Sequence, residues 1–322
     1  MADKVIGIDL GGTSVKLAVV DSQRQVLDQW SIPTDVSDQG QHIVNDIVAT
    51  IIDRLGQLNL SLDEIKAIGM GSPGTIDHDL GQVKGAYNLN WQDSQPVRQA
   101  IQEGLGRQLP VAIENDANVA AMGEQFLGAA KDCPDIIMVT LGTGVGGGVI
   151  VDGHLVVGMG AAGEVGHMFA QADGYQCTCG QTGCLETVAS ANGIARLAAD
   201  LHKDWQGAPS SLAAAYQAGQ KVTSYDLVLA AQAGDDFADY ALETSLTYLA
   251  HSLGQMASVT HPQVILIGGG VANAGQYLLD KLVPLFKQAA YPAIAESTQI
   301  AIAQLGSEAG VIGAASLAFT LL

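Results

Sequence analysis

The residues with the clearest chemical meaning lie mid-chain: His167, Cys177, Cys179 and Cys184, spaced His-x9-Cys-x-Cys-x4-Cys. One imidazole and three thiols are the ligand set of a closed tetrahedral zinc site, and Gly180 and Gly183 let the chain wrap around it. Four protein ligands leave no open position for water or substrate, so such a zinc organises a loop and performs no catalysis. The remaining cysteine, Cys133, stands apart, and this uneven distribution fits a metal better than a disulfide framework. Two carboxylates would be fixed by that loop: Glu164, three residues before His167, and Glu186, two residues after Cys184. Taken singly, each glutamate reads as a solvated surface charge.

Two glycine turns form a second group. Gly11, Gly12 and Thr13 join the β-rich runs 5–10 and 15–20, and Gly142, Thr143 and Gly144 join 136–141 to 148–152. Such turns present backbone N–H groups and a threonine hydroxyl to an anion without side-chain obstruction. One isolated copy reads as glycines closing a tight hairpin; recurrence favours phosphate binding. A shift of 131 positions superposes Leu10-Gly11 on Leu141-Gly142 and Val20-Asp21 on Val151-Asp152, which predicts two domains of related build. Asp9, at the strand end beside the first turn, suits a Mg²⁺ ion that bridges phosphates through water. Lys16, on the return strand, also reads as a solvated strand residue. Asn115-Asp116 falls where a strand gives way to a helix, a place for an N-cap and equally for chemistry. Three G-x-G-x-x-G matches, starting at Gly69, Gly142 and Gly158, lack the helix that a dinucleotide pyrophosphate site needs, and the chain has no Gly-Lys of the common P-loop.

The elements that must position these groups alternate between strand and helix. Residues 43–58 have helical spacing, 65–70 and 109–113 read as strands, and 119–130 as a helix leading toward a second domain, with the boundary near Ala117. Residues 188–201 and 241–259 read as helices, the latter stopped by His261-Pro262 before a strand at 264–267 and a turn at Gly268, Gly269 and Gly270. Residues 307–322 form a closing apolar helix of ambiguous membership. The expected division is a small α/β domain over 1–117, completed by 305–322, and a larger α/β domain over 118–304 that carries the zinc loop.

Composition sets the class. The 322 residues suggest about two domains at roughly 150 residues each, and a 48% apolar content supplies two cores. Fourteen basic against 33 acidic residues give a net charge of −19, which repels nucleic acid and anionic membranes alike. Uncharged stretches at 136–151 and 309–322 fall short of the roughly 20 residues of a membrane span. Asp9 interrupts the only place for a signal-peptide core, so a cytoplasmic protein is expected.

Taken in order, Asp9-Leu-Gly-Gly-Thr13, Gly71-Ser-Pro-Gly74, Glu114-Asn-Asp-Ala-Asn118, Leu141-Gly-Thr-Gly-Val-Gly-Gly-Gly148, Gly163-Glu-Val-Gly-His167, Cys177-Thr-Cys-Gly-Gln-Thr-Gly-Cys-Leu-Glu186 and Gly268-Gly-Gly270 resemble the ROK family of sugar kinases, its ATP-dependent bacterial glucokinases in particular. The resemblance covers essentially the whole chain. It implies a two-domain actin-like ATPase (ribonuclease H-like) fold with ATP in the cleft between domains and a homodimeric assembly. It assigns Asp116 as catalytic base, and Gly74, Asn115, Asp116, Glu164, His167 and Glu186 to the sugar. Asp9, Gly11, Gly12, Thr13, Lys16, Gly142, Thr143 and Gly144 go to the phosphates and Mg²⁺, and Gly268, Gly269 and Gly270 to adenosine. The implied reaction is phosphorylation of glucose to glucose 6-phosphate; fructose, mannose and N-acetylated hexoses are the alternatives within the family. His167 then serves twice, one ring nitrogen on structural zinc and the other on a sugar hydroxyl. Tyr87-Asn88-Leu89-Asn90-Trp91 lacks the proline of the family's Pro-Asn-Leu segment, which leaves sugar contacts from Asn88 and Asn90 open. A transcriptional repressor of the same family would need a helix-turn-helix ahead of Asp9 and a basic patch. A non-kinase actin-like ATPase would have the hairpins without the carboxylates around zinc.

Overall fold

The structure, a computed structural model, describes residues 3–322 and divides them into two units. The first comprises the described residues through Asp132 together with Leu155–Ala162 and Gln304–Leu322; the second comprises Cys133–His154 and Gly163–Ala303.

In the first unit β1 (Lys4–Leu10) and β2 (Ser14–Asp21) form an antiparallel hairpin with Asp9 opposite Lys16, and β3 (Val26–Pro33) pairs with β2. β4 (Ile65–Ser72) lies parallel to β1. A small hairpin, β5 (Thr75–Asp77) and β6 (Gln82–Lys84), follows it. β7 (Val111–Asn115) completes the sheet order β3-β2-β1-β4-β7. Alternation along β1 sends Ile6, Ile8 and Leu10 to one face, where α1 (Ile43–Gln57) brings Ile43, Ile47, Ile51 and Leu55 at four-residue spacing. α2 (Val97–Gly104) adds Val97 and Ile101 to that core, and α3 (Asp116–Phe126) follows β7 directly.

The second unit repeats the plan. β8 (Ile136–Leu141) and β9 (Val145–Val151) form the hairpin and β10 (His154–Leu155) sits beside β9. β11 (Val264–Gly268) and β12 (Gln299–Ile302) run parallel on the other side of β8, giving β10-β9-β8-β11-β12. Its core is closed by α4 (Glu186–Ala189), α5 (Ala191–Leu201), α6 (Ser211–Gln217), α7 (Ser224–Gln232), the long α8 (Asp236–Thr260), α9 (Gln276–Ala289) and α10 (Pro292–Ser297). A sheet of this order, made twice, is the actin-like ATPase architecture. The pairing registers differ: Leu10 faces Val15 whereas Leu141 faces Val145, so the second turn is one residue shorter. Gly11 N–H accordingly reaches the Ser14 carbonyl, and Gly142 N–H that of Gly144.

The last helix, α11 (Ala309–Phe319), belongs to the first unit and packs against β1, β4 and α3. Val311, Ile312, Ala315 and Ala318 meet Val5, Ala18, Val20 and Ala67 in a second core layer. The helices α3 and α11 touch backbone to backbone: a Cβ on Gly313 would strike the Val119 carbonyl, and one on Gly123 the Ala309 carbonyl. This contact moves α3 into the first unit, so the division falls after Asp132 and not near Ala117, and the second unit does not begin at 118. α3 also opens three residues earlier than the apolar spacing indicates, because Asn115 caps it. The helix expected over 188–201 is broken at Ser190, whose extended backbone (ψ 165°) and hydroxyl, accepting from Gly193 N–H, start α5 afresh. No helix among the described residues is long and apolar enough to cross a membrane.

Two glycine-to-alanine changes in helices should have opposite signs. Gly313→Ala inserts a methyl where backbone already lies and should destabilise by about 1–3 kcal/mol. Gly56→Ala, in α1 with nothing within 4 Å, should stabilise by about 0.5–1 kcal/mol. Thermal melts of both variants check this.

Candidate active site

On the first unit, the carboxylate of Asp9 stands at the end of β1, closely approached by Gly310 at the start of α11, where a Cβ would come within 2.6 Å of it. Burial pushes its pKa up to about 6, with Asp116 and Glu308 adding to the rise and Lys16 opposing it. Lys16 is not a free strand lysine: it pairs with Glu308 at 3.0 Å and donates to the Ser307 carbonyl. The 11–13 turn is held by Thr34, whose hydroxyl donates to the Gly11 carbonyl (2.6 Å) and whose N–H donates to that of Thr13 (3.1 Å). Asn88 lies against Gly12, within 3.4 Å of a Cβ built there, whereas the Asn90 side chain is used in donating to the Val36 carbonyl at 2.8 Å. Gly74 turns the chain after β4 with φ 93°.

Asn115 and Asp116 sit at the junction of β7 and α3. Asn115 is the N-cap, its Oδ1 accepting from Ala117 N–H at 2.9 Å, and Asp116 Oδ1 accepts from the same N–H at 2.8 Å. Amide groups of the first helical turn favour negative charge at Asp116. Beneath the turn lies Glu114, fully buried. Its Oε1 accepts from Asn115 N–H (2.8 Å) and Asn118 Nδ2 (3.0 Å), and its Oε2 meets His78 Nε2 at 2.8 Å. Nothing local in the sequence marks His78 as its partner.

On the second unit, the zinc-ligand set comes together: one ligand atom from each of His167, Cys177, Cys179 and Cys184 lies within 4.8 Å of all the others. His167 Nδ1 is 3.6 Å from Cys177 Sγ, and Cys179 Sγ is 3.6 Å from Cys184 Sγ. A tetrahedron with Zn–S of about 2.3 Å and Zn–N of about 2.1 Å has edges of about 3.5–3.8 Å, so the residues fit the ion. Burial pushes the Cys184 thiol up to about 12, while the Gln181 backbone N–H lowers Cys179; a cation is what makes both thiolate ligands at neutral pH. Because Nδ1 faces the thiols, His167 keeps Nε2 for another partner, and Glu164 Oε2 stands 3.9 Å from it.

Glu186, the first residue of α4, links this cluster to the glycine turn. Its Oε2 accepts from Val145 N–H at 3.0 Å, and its Oε1 lies 4.0 Å from Cys177 Sγ. The carboxylate presses so closely on Gly144 that a Cβ there would push it aside. The Gly142 carbonyl accepts from Ala191 N–H (2.8 Å) and that of Thr143 from Asn192 Nδ2 (3.4 Å), which holds the turn on the start of α5. A cavity of about 520 Å³ opens beside it, bounded by Thr143, Gly144, Cys177, Glu186, Asn192 and Arg196. Gly269, with φ 80°, crosses the backbone of Leu141, so the 268–270 turn stands next to the 142–144 turn.

The ROK family model matches residues 5–320. The chain is 39% identical over 319 residues to a glucokinase of Halalkalibacterium halodurans, covering 97% of this chain and 94% of that protein. Among solved structures it is similar to a ROK hexokinase from Thermus thermophilus, with a TM-score of 0.84, 31% identity and coverage of 99% and 98% of the two chains. It is also similar to a ROK family glucokinase from Streptomyces griseus in complex with glucose and AMPPNP, with a TM-score of 0.73, 31% identity and coverage of 98% and 99%. With the family model matched over residues 5–320 and a relative 39% identical over 97% of its length, the chain belongs to the ROK family.

Proposed function

We propose that this protein transfers the γ-phosphoryl group of ATP to the 6-hydroxyl of glucose, in the cytoplasm and as a homodimer. The observation that carries the reading is the run of contacts Gly144–Glu186–Cys177–His167–Glu164, which ties a phosphate-type turn to a set of hydroxyl acceptors on one unit. A plain ATPase has no use for those acceptors. The similarity to the glucokinase in complex with glucose and AMPPNP supports the same reading.

In this reading Asp116 accepts the proton of the 6-hydroxyl and aligns its oxygen with the γ-phosphorus. A loose transition state needs that proton removed late, so a weak carboxylate base suffices. Asn115 spends its Oδ1 on the helix cap, which leaves Nδ2 to donate to a sugar oxygen. Glu186 spends Oε2 on Val145, which leaves Oε1 to accept from a sugar hydroxyl, beside His167 Nε2 and Glu164. Gly74 offers its backbone to the sugar. The turns at Gly11, Gly12, Thr13 and at Gly142, Thr143, Gly144 receive the phosphates, and Gly268, Gly269 and Gly270 the adenosine. Asp9 would hold Mg²⁺ through water, with Lys16 balancing Asp9 and Glu308. His167 through Nδ1, Cys177, Cys179 and Cys184 would hold zinc, which supplies a fixed loop and no reacting group. Sugar choice follows from acceptors that a wrong epimer leaves unpaired, worth about 10⁴ or more in discrimination.

Asp116→Ala should lower kcat by about 10² to 10⁴, some 3–5 kcal/mol of barrier, in an ADP-release assay with glucose. Run across fructose, mannose and N-acetylglucosamine, the same assay should favour glucose; ADP release at full rate without sugar would point to an ATPase of another kind. Chelation, or Cys179→Ser, should weaken hexose binding and lower the melting temperature together, and unchanged hexose affinity in folded, metal-free protein would contradict the zinc assignment. Asp9 yields a pH test. Between its ordinary value of 3.8 and about 6, the folded protein retains a proton that the unfolded chain has released, so stability falls as pH rises through that window. Asp9→Asn should therefore abolish turnover yet melt higher than the parent at pH 7.5, by the equivalent of roughly 2–3 kcal/mol at most, with the gap closing toward pH 4. A gap constant with pH would exclude burial of the charge as its origin.

A further inference from the structure

We infer that His78 and Glu114 form a positioning pair that fixes the Asn115–Asp116 turn from behind; this rests on the proposed role of Asp116. Glu114 is buried at the end of β7, and a carboxylate there is tolerated because three donors surround it: Asn115 N–H, Asn118 Nδ2 and His78 Nε2. Where the carboxylate accepts, His78 Nε2 is the donor of the pair. The first donor matters most. Asn115 N–H belongs to the peptide that orients the N-cap and, one residue on, the Asp116 side chain. Asn115 is therefore held twice, through its side-chain oxygen by Ala117 N–H and through its backbone N–H by Glu114.

The histidine is itself held in place. It lies between β5 and β6, and Arg98 of α2 ties that loop to the strand carrying Glu114. Its Nη2 donates to the His78 carbonyl (2.7 Å), Nη1 to that of Asp79 (3.0 Å) and Nε to the Val111 carbonyl on β7 (3.0 Å). The ring is half-exposed, on the wall of a cavity of about 640 Å³ bounded also by Asp77, Gln82, Lys84 and Ser94. A solvent-facing histidine that reaches inward to a buried acid, clamped by a three-pronged arginine, is more apparatus than stability of a loop requires. Its geometry fixes the direction of one peptide, and a displacement of about 1 Å at a reacting group can cost about 10²-fold.

His78→Ala should lower kcat with glucose by about 10-fold or more and raise the glucose KM, with the KM for ATP unchanged and the protein folded by circular dichroism. His78→Gln, which restores a donor, should recover most of the loss. Glu114→Ala should lose more, with Glu114→Gln intermediate, and Ser94→Ala on the same cavity wall should match the parent. In an Asp116→Ala background, His78→Ala should cost nothing further, because the pair acts through that turn. Parent-like kcat and glucose KM in folded His78→Ala would overturn the inference, as would an equal loss in every kinetic parameter that tracks only the folded fraction. Parent-like turnover in Asp116→Ala would instead overturn the role of Asp116, leaving the two failures distinct.

Discussion

One carboxylate, that of Glu186, holds the second unit's chemistry in register. One of its oxygens takes the N–H of Val145 at the start of β9, and the other faces a thiol of the metal cluster. Gly144 is what lets it come so close. Pull the carboxylate away and the Val145 amide loses its acceptor, while Cys177 loses an oxygen 4.0 Å from its sulfur. One side chain thus meets both an N–H at the glycine turn and the cysteine cluster.

Glu114 plays a parallel part on the first unit. It too sits at a strand end and takes a backbone N–H, here that of Asn115 at the start of α3. In each case a buried or half-buried acid is satisfied by backbone and side-chain donors, and the direction of a functional turn follows from that satisfaction. Asp9 differs: burial raises its pKa and Lys16 offsets that only in part, so the folded state carries a cost that further positive charge at that position would relieve. A carboxylate held at such a cost to stability is a candidate for function rather than for folding.

The two hairpins and their glycine turns were legible in sequence because strand alternation and turn chemistry are local signals. The Cys/His cluster is legible because its three cysteines lie within eight positions. The structure brings those four ligands together, and sets Glu164 and Glu186 beside them. What sequence concealed was tertiary. Lys16 reads as a solvated strand residue until Glu308, 292 positions later, is placed beside it. Ser190 lies within an apolar run of helical spacing, and only its extended backbone shows that it divides two helices. His78 and Glu114 are 36 residues apart with no motif between them. Adjacency along the chain leads α3 toward the second unit, but the missing Cβ atoms of Gly123 and Gly313 decide where it packs.

The helix α11 closes the core of the first unit, yet the chain reaches it only after the whole of the second unit has been made. On a ribosome the N-terminal sheet therefore waits, with one apolar face of β1, β2 and β4 uncovered, through the synthesis of some 170 residues at about 5–20 per second. Over that interval, on the order of ten seconds or more, the native contacts of α11 are not there to cover the sheet.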